Sequence, residues 1–435
     1  MAITRARPPL IIVRTGFTLF PPVPLVPALD PQLLNISDLR ERARRRLPKG
    51  FFEFIERGAE DDRAVSNNRT AFERYLLRPK VLRDVSRRSL ASDILGKPSS
   101  MPLVMAPTGA AGLMWHNGEI ALAKAAAAAG VPFTLSTASL TSIERIAAEA
   151  PGRLWFQLYM WPDRAMSHDL VKRVQAAGFE ALMVTLDTAV APNRECNVRN
   201  GFMLPFRVNR RNALDIALHA PWVYSVILRY LLTTGMPRFE NFPEVLQRSL
   251  TDAPKGRSAL PKNDALTWED LRTLRQIWKG PLIVKGILHP DDAHAAVACG
   301  ADAVIVSNHG GRNLDASIPP LFALPDIVER VGHRAEVFMD GGVMRGSDVI
   351  KALALGAKAV LVGRAPLWGV AVAGQAGAAR ALEILAEESL RVLGQLGCAR
   401  VDELGPDVLW TNHAPQSPTV PMVPMVSPRA VSTVA

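Results

Sequence analysis

The clearest pattern in the chain is a repeated phrase in which an alanine-rich stretch ends at a glycine and a short apolar run follows. It occurs in QAAGFEALMVTLD (175–187), ACGADAVIVSNHG (298–310) and ALGAKAVLVGR (354–364), and AAAAAGVPFTLSTAS (125–139) is a fourth copy. Glycine suits the left-handed position that ends a helix, and a continuous apolar run suits a parallel strand buried on both faces. The repeat therefore predicts helices that alternate with parallel strands.

Eight apolar runs follow this rule. They are PLVMAP (102–107), PFTLS (132–136), LWFQLY (154–159), ALMVTLD (181–187), PLIVKG (281–286), AVIVSN (303–308), VFMDGG (337–342) and AVLVGR (359–364). Eight strand–helix units over roughly 270 residues predict an α/β fold, the (β/α)8 TIM barrel. An open doubly wound sheet is the alternative, but no GxGxxG opens a helix after the first strand, which counts against a dinucleotide-binding domain.

The barrel pattern lies within residues 35–410, which we expect to form one domain. Parts of residues 35–100, such as ISDLRERARRRLP, have amphipathic helical spacing. Residues 1–34 are proline-rich and lack a clean secretory signal, so they predict a flexible extension. Residues 411–435 predict a disordered tail.

A long insertion separates the fourth predicted strand, which ends at Asp187, from the fifth, which begins near Pro281. This separation is longer than an ordinary loop, so it predicts an insertion. We place the insertion at about residues 205–265. Its apolar part, 213–237, lies among Arg207, Arg210, Arg211, Arg229 and Arg238. This pattern predicts an amphipathic helix that contacts a membrane surface; a lid over the barrel is the alternative.

Composition narrows the functional classes. The chain of 435 residues is 48% hydrophobic and 21% charged, which is typical of a globular protein. Its three cysteines form no CxxC or Cys/His cluster, so we expect neither a disulfide scaffold nor a metal site. The net charge of +10 is concentrated in residues 1–88, but acids interleave with the arginines there, and we expect no nucleic-acid partner.

Chemistry in this type of barrel lies where the strands end, at the C-terminal face, here called the barrel mouth. Every predicted strand ends in polar, charged or glycine residues, namely Pro107-Thr108-Gly109, Ser136, Gln157 with Tyr159, Thr185 with Asp187, Lys285, Ser307 with His309, Asp340-Gly341-Gly342 and Gly363-Arg364. A purely structural barrel would not need this. The strand ends therefore predict an active site at the mouth.

The last two strands end in glycines, where barrels of this class usually bind phosphate. Glycines let backbone amides approach an anion and Arg364 adds charge, although tight turns would also explain them. Lys285 at the end of a buried strand needs an anionic partner. A flavin, which gains negative charge on reduction, would supply one, and Asp340 is the alternative partner. With a single phosphate cradle, the sequence predicts FMN rather than FAD.

The stretch SNHGGRNLD (307–315) carries the best candidates for catalysis. His309 can accept a hydroxyl proton near neutral pH, and Arg312 can hold a carboxylate with two hydrogen bonds. Asp187, at the end of the fourth strand, can orient the imidazole and stabilise its protonated form.

Long motifs in order resemble those of the FMN-dependent (S)-2-hydroxy-acid oxidases and dehydrogenases, the family of glycolate oxidase, flavin-type L-lactate dehydrogenase and mandelate dehydrogenase. They are LPKGFFEFIERGAED (47–61), APTGAAGLMWHNGE (106–119), LSTAS (135–139), WFQLY (155–159), IVKG (283–286), SNHGGRNLD, DGGVMRGSDVIKALALGA (340–357) and LVGRAPLWG (361–369). The second and third motifs look most like those of mandelate dehydrogenase.

The resemblance implies a role for each matching residue. His309 is the base, Asp187 its partner, and Tyr159 binds the substrate hydroxyl, while Arg312 and Arg194 hold the carboxylate. The implied FMN ligands are Pro107, Thr108, Gly109, Ser136, Gln157, Thr185, Lys285 and Ser307, with Asp340, Gly341, Gly342, Gly363 and Arg364 at the phosphate end. The base takes the hydroxyl proton, and the α-hydrogen reaches flavin N5 as hydride; a carbanion route would use the same residues.

Two positions depart from the family pattern. Phe54 stands where the family has a tyrosine that contacts the substrate carboxylate, and Met344 stands where it has an arginine near the phosphate. We expect either that FMN binds more weakly or that the adjacent Arg345 takes the place of the missing arginine near the phosphate. Neither change affects His309, so the reaction class is better defined than the substrate.

The resemblance implies oxidation of a 2-hydroxy acid to a 2-oxo acid with electrons passed to a quinone-type acceptor. It also implies that residues 35–100 form a helical cover over the barrel. The implied assembly is a homotetramer, cytoplasmic and peripheral on the cytoplasmic face of the inner membrane. Gly109 favours a dehydrogenase, because the oxidases more often carry alanine there. The alternatives are an oxidase that releases hydrogen peroxide, an amine oxidation like that of pre-mycofactocin synthase, and an inactive flavin- or lipid-binding protein.

Overall fold

The computed structural model of the protein describes residues 30–202, 209–243, 247 and 264–411. The predicted extension therefore lies outside the described residues up to position 29, and the predicted tail does so from position 412. Arg207 and much of the predicted insertion between residues 243 and 264 also fall outside them.

The N-terminal cover precedes the barrel as predicted. Its elements are α1 (Ile36–Arg46), α2 (Lys49–Glu56), α3 (Arg63–Thr70), a 3-10 turn (Ala71–Arg74), β1 (Tyr75–Leu77), β2 (Ser92–Ile94) and β3 (Lys97–Ser99). Helix α1 begins at a capping box, in which the side chain of Asn35 accepts from the amide of Asp38 and Asp38 accepts from the amide of Asn35. Strands β2 and β3 form a short antiparallel hairpin.

All eight predicted strands form one closed parallel barrel, in which sequence neighbours are spatial neighbours throughout. The strands are β4 (Leu103–Met105), β5 (Phe133–Ser136), β6 (Leu154–Leu158), β7 (Ala181–Thr185), β8 (Leu282–Ile287), β9 (Ala303–Val306), β10 (Glu336–Met339) and β11 (Ala359–Val362). Closure leaves no free edge and excludes the open-sheet alternative. The prediction of a (β/α)8 barrel is confirmed.

The remaining helices surround the barrel or lie in the insertion. They are α4 (Gly118–Ala128), α5 (Ile143–Glu149), α6 (Arg164–Ala176), α7 (Glu195–Arg199), α8 (Arg210–Leu218), α9 (Ala220–Trp222), α10 (Arg229–Thr233), α11 (Trp268–Ile277), α12 (Pro290–Ala298), α13 (Pro320–Val331), α14 (Gly346–Ala354) and α15 (Arg364–Gln395). Three 3-10 turns lie at Ala111–Leu113, Val401–Glu403 and Pro406–Val408, and β12 (Leu409–Thr411) pairs antiparallel with β1.

The barrel interior is a packed core. Its buried side chains include Val104, Trp155, Met183, Ile283, Ile305, Phe338 and Leu361, contributed by strands all around the barrel. Toward the strand ends the inward-facing side chains become polar. The register then sets those ends side by side, since Ser136 pairs with Gln157 and Thr185 with Lys285.

The apolar part of the insertion is not the single helix predicted. Helix α8 and the segment Ala220–Thr233, which includes a π-helical stretch (Val223–Leu228), meet at an angle of 82°. Pro221 explains the break, because it has no amide hydrogen to extend α8 and instead occupies the first turn of the next helix, where that hydrogen is not needed. Among the described helices, none alone is long and apolar enough to cross a membrane, whereas this bent pair passes on length and composition.

Two buried side chains attach the insertion to the loop that follows β4. The indole Nε1 of Trp222 donates to the carbonyl of Leu113 at 2.8 Å, and the Tyr230 hydroxyl accepts from the amide of Asn117 at 3.1 Å. The opposite side remains in solvent, where Leu218 is 74% and Leu232 76% exposed. The insertion therefore has one face fixed on the barrel and one apolar face free of it.

Candidate active site

A cavity of about 420 Å³ opens at the barrel mouth beneath the N-terminal cover. This volume lies in the range of small-molecule and cofactor sites. Most predicted site residues line it, namely Pro107, Thr108, Gly109, Thr185, Lys285, Asp340, Gly341, Gly342, Gly363 and Arg364, together with Phe54, Arg194, His309 and Arg312. The structure thus brings residues from almost the whole length of the barrel into one site.

A second set of predicted residues lies directly behind the lining and is hydrogen-bonded within the site. Ser136 donates its hydroxyl to Gln157 Oε1 at 3.0 Å, and Ser307 Oγ lies 2.6 Å from Lys285 Nζ. Asp187 and Tyr159 both contact His309. The structure therefore brings these residues together around the cavity, while their individual roles stay predictions.

His309 lies between a carboxylate and a phenol. Its Nδ1 is 2.9 Å from Asp187 Oδ1, and its Nε2 is 3.4 Å from the Tyr159 hydroxyl. Burial lowers the pKa of His309 below its usual value and outweighs the charge of Asp187, which raises it. Burial opposes ionisation of Asp187, but the adjacent imidazole still holds the pKa of that carboxyl below its usual value. At neutral pH the pair is a neutral imidazole beside a carboxylate.

The backbone around His309 adopts the left-handed region. His309 has φ of 60°, which is uncommon outside glycine, and Gly310 and Gly311 follow with φ of 66° and 76°. A Cβ at Gly311 would lie 2.5 Å from the amide nitrogen of Val65, so only glycine permits this approach to α3. The carbonyl of Gly311 accepts from the amide of Ala59 at 3.1 Å. The GG pair thus docks the loop that carries His309 against the cover.

Two arginines flank His309 on the cavity wall. Arg312 Nη1 donates to the carbonyls of Phe54 and Arg57, each at 2.8 Å, and Arg194 Nε donates to the carbonyl of Arg312 at 3.0 Å. Burial and the charges of Arg194 and Arg364 hold the pKa of Arg312 well below its usual value. Because a guanidinium stays charged in proteins, this clustering of positive charge favours binding of an anion.

Phe54 lies on the same wall, with the Arg312 guanidinium carbon 5.3 Å from its ring centroid. The ring also packs against Phe202, at 4.9 Å between centroids. This cation–π contact gives Phe54 a defined place beside the arginine, although its side chain offers no hydroxyl. The carboxylate contact that a tyrosine would add is therefore missing here.

Lys285 is only 4% exposed and forms an ion pair with Asp340, at 2.8 Å from Nζ to Oδ2. Burial opposes its charge, but Asp340 and Asp187 raise the pKa of Lys285 above its usual value. The alternative partner considered for Lys285 is thus present. The lysine nevertheless lines the cavity, so the ion pair and a role toward a flavin are compatible.

Several buried polar atoms around the cavity test whether a flavin fits. Gln157 Nε2, Thr185 Oγ1 and Asp340 Oδ1 have no hydrogen-bond partner among the described residues. Buried polar atoms rarely stay unpaired, so these donors and acceptors indicate a polar ligand in the cavity. The isoalloxazine edge of FMN carries alternating N–H and C=O groups, and these residues fit it.

The glycine-lined end of the cavity fits the phosphate of FMN. Gly341 and Gly342 have φ of 97° and 78°, and Arg364 is held by its Nε and Nη2 on the carbonyls of Ile55 and Gly310. Met344 lines this end, as the sequence indicated. Arg345, the residue predicted to substitute for it, does not line the cavity, because its guanidinium pairs with Glu388 at 3.0 Å.

Sequence reasoning missed two arginines of the cover that also line the cavity, Arg40 and Arg69. Arg40 is paired with Glu56 at 2.8 Å, whereas Arg69 contacts the Gly342 carbonyl. Both stand in a segment with many arginines, and nothing in its local pattern distinguishes these two. Only the packing of the cover on the barrel identifies them.

Comparison with known proteins agrees with this geometry. The chain is 42% identical over 391 residues to (S)-mandelate dehydrogenase of Pseudomonas putida, covering 89% of this chain and 97% of that protein. It is 40% identical over 379 residues to L-lactate oxidase of Nostoc sp. (strain PCC 7120 / SAG 25.82 / UTEX 2576), covering 85% and 96%.

A crystal structure described as the monotopic membrane protein (S)-mandelate dehydrogenase superimposes with a TM-score of 0.82 at 42% identity, covering 87% of this chain and 100% of that one. The family model for the FMN-dependent dehydrogenases matches residues 43–411, which include the cover, the barrel and the cavity. The chain therefore belongs to the FMN-dependent dehydrogenase family.

Proposed function

We propose that this enzyme oxidises an (S)-2-hydroxy acid to the corresponding 2-oxo acid. The observation that carries the proposal is the His309–Asp187 pair with Tyr159 at 3.4 Å, beside Arg312 and Arg194 in a cavity that fits FMN. A substrate with a carboxylate next to a secondary alcohol matches the two arginines and the imidazole together. The relatives named as mandelate and lactate enzymes support the same class.

Each residue has a defined task in this proposal. Arg312 and Arg194 bind the carboxylate, which places the 2-hydroxyl near His309 Nε2 and the Tyr159 hydroxyl. Neutral His309 accepts the hydroxyl proton, and Asp187 stabilises the imidazolium that forms. Burial and the Asp187 charge raise the pKa of Tyr159, so the phenol stays protonated and can donate to the oxygen. When bound, FMN supplies the acceptor for the two electrons and the α-hydrogen.

The test is reduction of the enzyme's own flavin in the absence of oxygen. We expect acid to release FMN from the purified protein, and an (S)-2-hydroxy acid to bleach the yellow colour. The same acid without its 2-hydroxyl is the matched control and should not bleach it. Release of FAD, or bleaching by 2-amino compounds but by no 2-hydroxy acid, would contradict the proposal and favour the amine alternative.

The insertion supports a second part of the proposal, that the enzyme contacts a membrane surface and passes electrons to a quinone-type acceptor there. Its free face exposes large apolar side chains, namely Leu214, Leu218, Tyr224, Leu228, Leu231 and Leu232. Apolar side chains with arginines around them favour the interface of an anionic membrane. The related (S)-mandelate dehydrogenase is described as a monotopic membrane protein, which supports this reading.

Substitution of exposed leucines tests the membrane contact without disturbing the buried anchors Trp222 and Tyr230. We expect the triple variant Leu218→Ser, Leu231→Ser, Leu232→Ser to lose most of its sedimentation with anionic vesicles while it keeps flavin reduction by substrate. Leu82→Ser, at a fully exposed leucine in the N-terminal segment, is the matched control. If the triple variant sediments with the vesicles as much as the wild-type enzyme does, the proposed membrane contact is wrong.

The acceptor is tested in the same preparations. We expect a soluble quinone to re-oxidise the reduced wild-type enzyme much faster than oxygen does. Fast re-oxidation by oxygen with release of hydrogen peroxide would instead make the protein an oxidase.

A further inference from the structure

The loop that forms the glycine-lined end of the cavity contributes no cationic side chain to its lining. Gly341, Gly342 and Met344 line it, and the neighbouring Arg345 is half-exposed and paired with Glu388. From the opposite loop, Arg364 supplies one guanidinium. A phosphate monoester carries about −1.5 to −2 charges at neutral pH, so one guanidinium neutralises only part of it.

Arg69 reaches the same end of the cavity from α3. Its Nη1 donates to the carbonyl of Gly342 at 2.9 Å, and its guanidinium pairs with Asp348, with Nη2 at 3.0 Å from Oδ1. The guanidinium carbon also lies 5.4 Å from the ring centroid of Phe72. These contacts fix the head group against the glycine loop, although the side chain is still 38% exposed.

Backbone packing holds the end of α3 against this loop. A Cβ at Gly342 would lie 2.2 Å from the carbonyl oxygen of Asn68, so α3 approaches the loop as closely as glycine allows. Asn68 and Asn308 also exchange side-chain hydrogen bonds at 2.7 and 2.8 Å. The end of α3 is therefore held against the loops that follow β9 and β10. This places Arg69 at the glycine-lined end of the cavity.

Asp348 offsets part of the charge of Arg69 but has other partners. Its Oδ2 also accepts from the amides of Met344 and Arg345, each at 2.9 Å, where it caps α14. One carboxylate thus serves an arginine and two backbone amides at a helix N-terminus. Together with Arg364, two guanidiniums therefore line this end of the cavity.

We propose that Arg69 is a phosphate-binding residue of this protein and supplies the cation that Met344 does not. The inference rests on FMN as the cofactor of the proposed function, but it does not depend on the substrate. It assigns to the N-terminal cover a direct part in cofactor affinity.

The experiment compares FMN with riboflavin, which has the same ring system and no phosphate. Full-length protein is freed of flavin, and each dissociation constant is measured from the quenching of flavin fluorescence. We expect Arg69→Gln to weaken FMN binding roughly 10- to 100-fold, the usual effect of a lost charge-assisted hydrogen bond, and to change riboflavin binding little. Arg63→Gln, at an arginine of the same helix that is 75% exposed and paired with Asp61, is the matched control and should leave both constants unchanged.

A second variant tests the link to Met344. Adding Met344→Arg to Arg69→Gln should restore most of the preference for FMN over riboflavin. Equal weakening of both flavins in Arg69→Gln would mean that Arg69 only supports the fold, and unchanged FMN binding would also overturn the proposal. If Arg69→Gln does not fold, Arg69→Lys should keep the fold and lower the preference for FMN, and an unchanged preference would overturn it. No substrate is used, so a failed substrate assignment would leave these results intact.

Discussion

Replacing His309 by glutamine should slow the reduction of bound flavin by substrate by about 10²–10⁴-fold, the usual contribution of a general base, and leave FMN bound. Glutamine has a similar volume and can still hydrogen-bond to Asp187 and Tyr159. It cannot accept a proton at neutral pH. The expected loss therefore falls on the chemical step rather than on the architecture of the mouth.

Anaerobic stopped-flow absorbance gives the rate of flavin reduction, and the flavin spectrum reports whether the cofactor site is intact. His333→Gln, at an exposed histidine on the helix-to-strand loop before β10, is the matched control and should reduce flavin at the wild-type rate. A reductive rate close to wild type in His309→Gln would remove His309 from its role as the base.

The barrel and most of the mouth could be predicted because both depend on local patterns. Apolar runs without alternation identified the buried parallel strands, and parallel strands place their polar ends together. Thr185 and Lys285 are 100 positions apart in the sequence and yet pair in adjacent strands. Once the strand order is known, the pairing of their two strands follows from it.

The remaining features depend on contacts between distant segments, which local patterns do not encode. Both a flavin and Asp340 were expected as anionic partners of Lys285, and only the register of the strand ends shows that Asp340 lies 2.8 Å from it. Arg345 is next to Met344 in the sequence and was expected to replace the missing arginine. Its guanidinium instead pairs with Glu388 of α15 and does not line the cavity. Arg69 lies more than 270 positions from Gly342, and its place follows from how the cover docks.

The insertion shows a different limit. Its apolar composition predicted a membrane-contacting helix that continues through residues 213–237. Pro221 has no amide hydrogen to continue the hydrogen bonds of the first helix. The buried side chains of Trp222 and Tyr230 then fix the second half of the segment against the barrel. Tertiary contacts, rather than the amphipathic period, set its direction.

Asp187→Asn should lower the plateau of kcat/KM by about 10²–10⁴-fold, as the loss of the carboxylate beside a catalytic histidine does elsewhere. It should also displace the pH profile. His309 acts as a base only when neutral, so kcat/KM rises with pH through the pKa of His309. Burial places that pKa below the usual value of about 6.5 even with the carboxylate present.

The direction of the displacement follows from the charge of Asp187, which raises the pKa of His309. Without that charge the pKa of His309 falls further, and the acid limb of the profile moves to lower pH while the weaker base lowers the plateau. Measurement of kcat/KM between pH 5 and 9, with flavin absorbance to confirm that the site is intact, gives both quantities. Asp291→Asn, at a surface carboxylate that is 75% exposed, should leave the profile unchanged. An acid limb that moves to higher pH, or an unchanged plateau, would show that Asp187 does not act through His309.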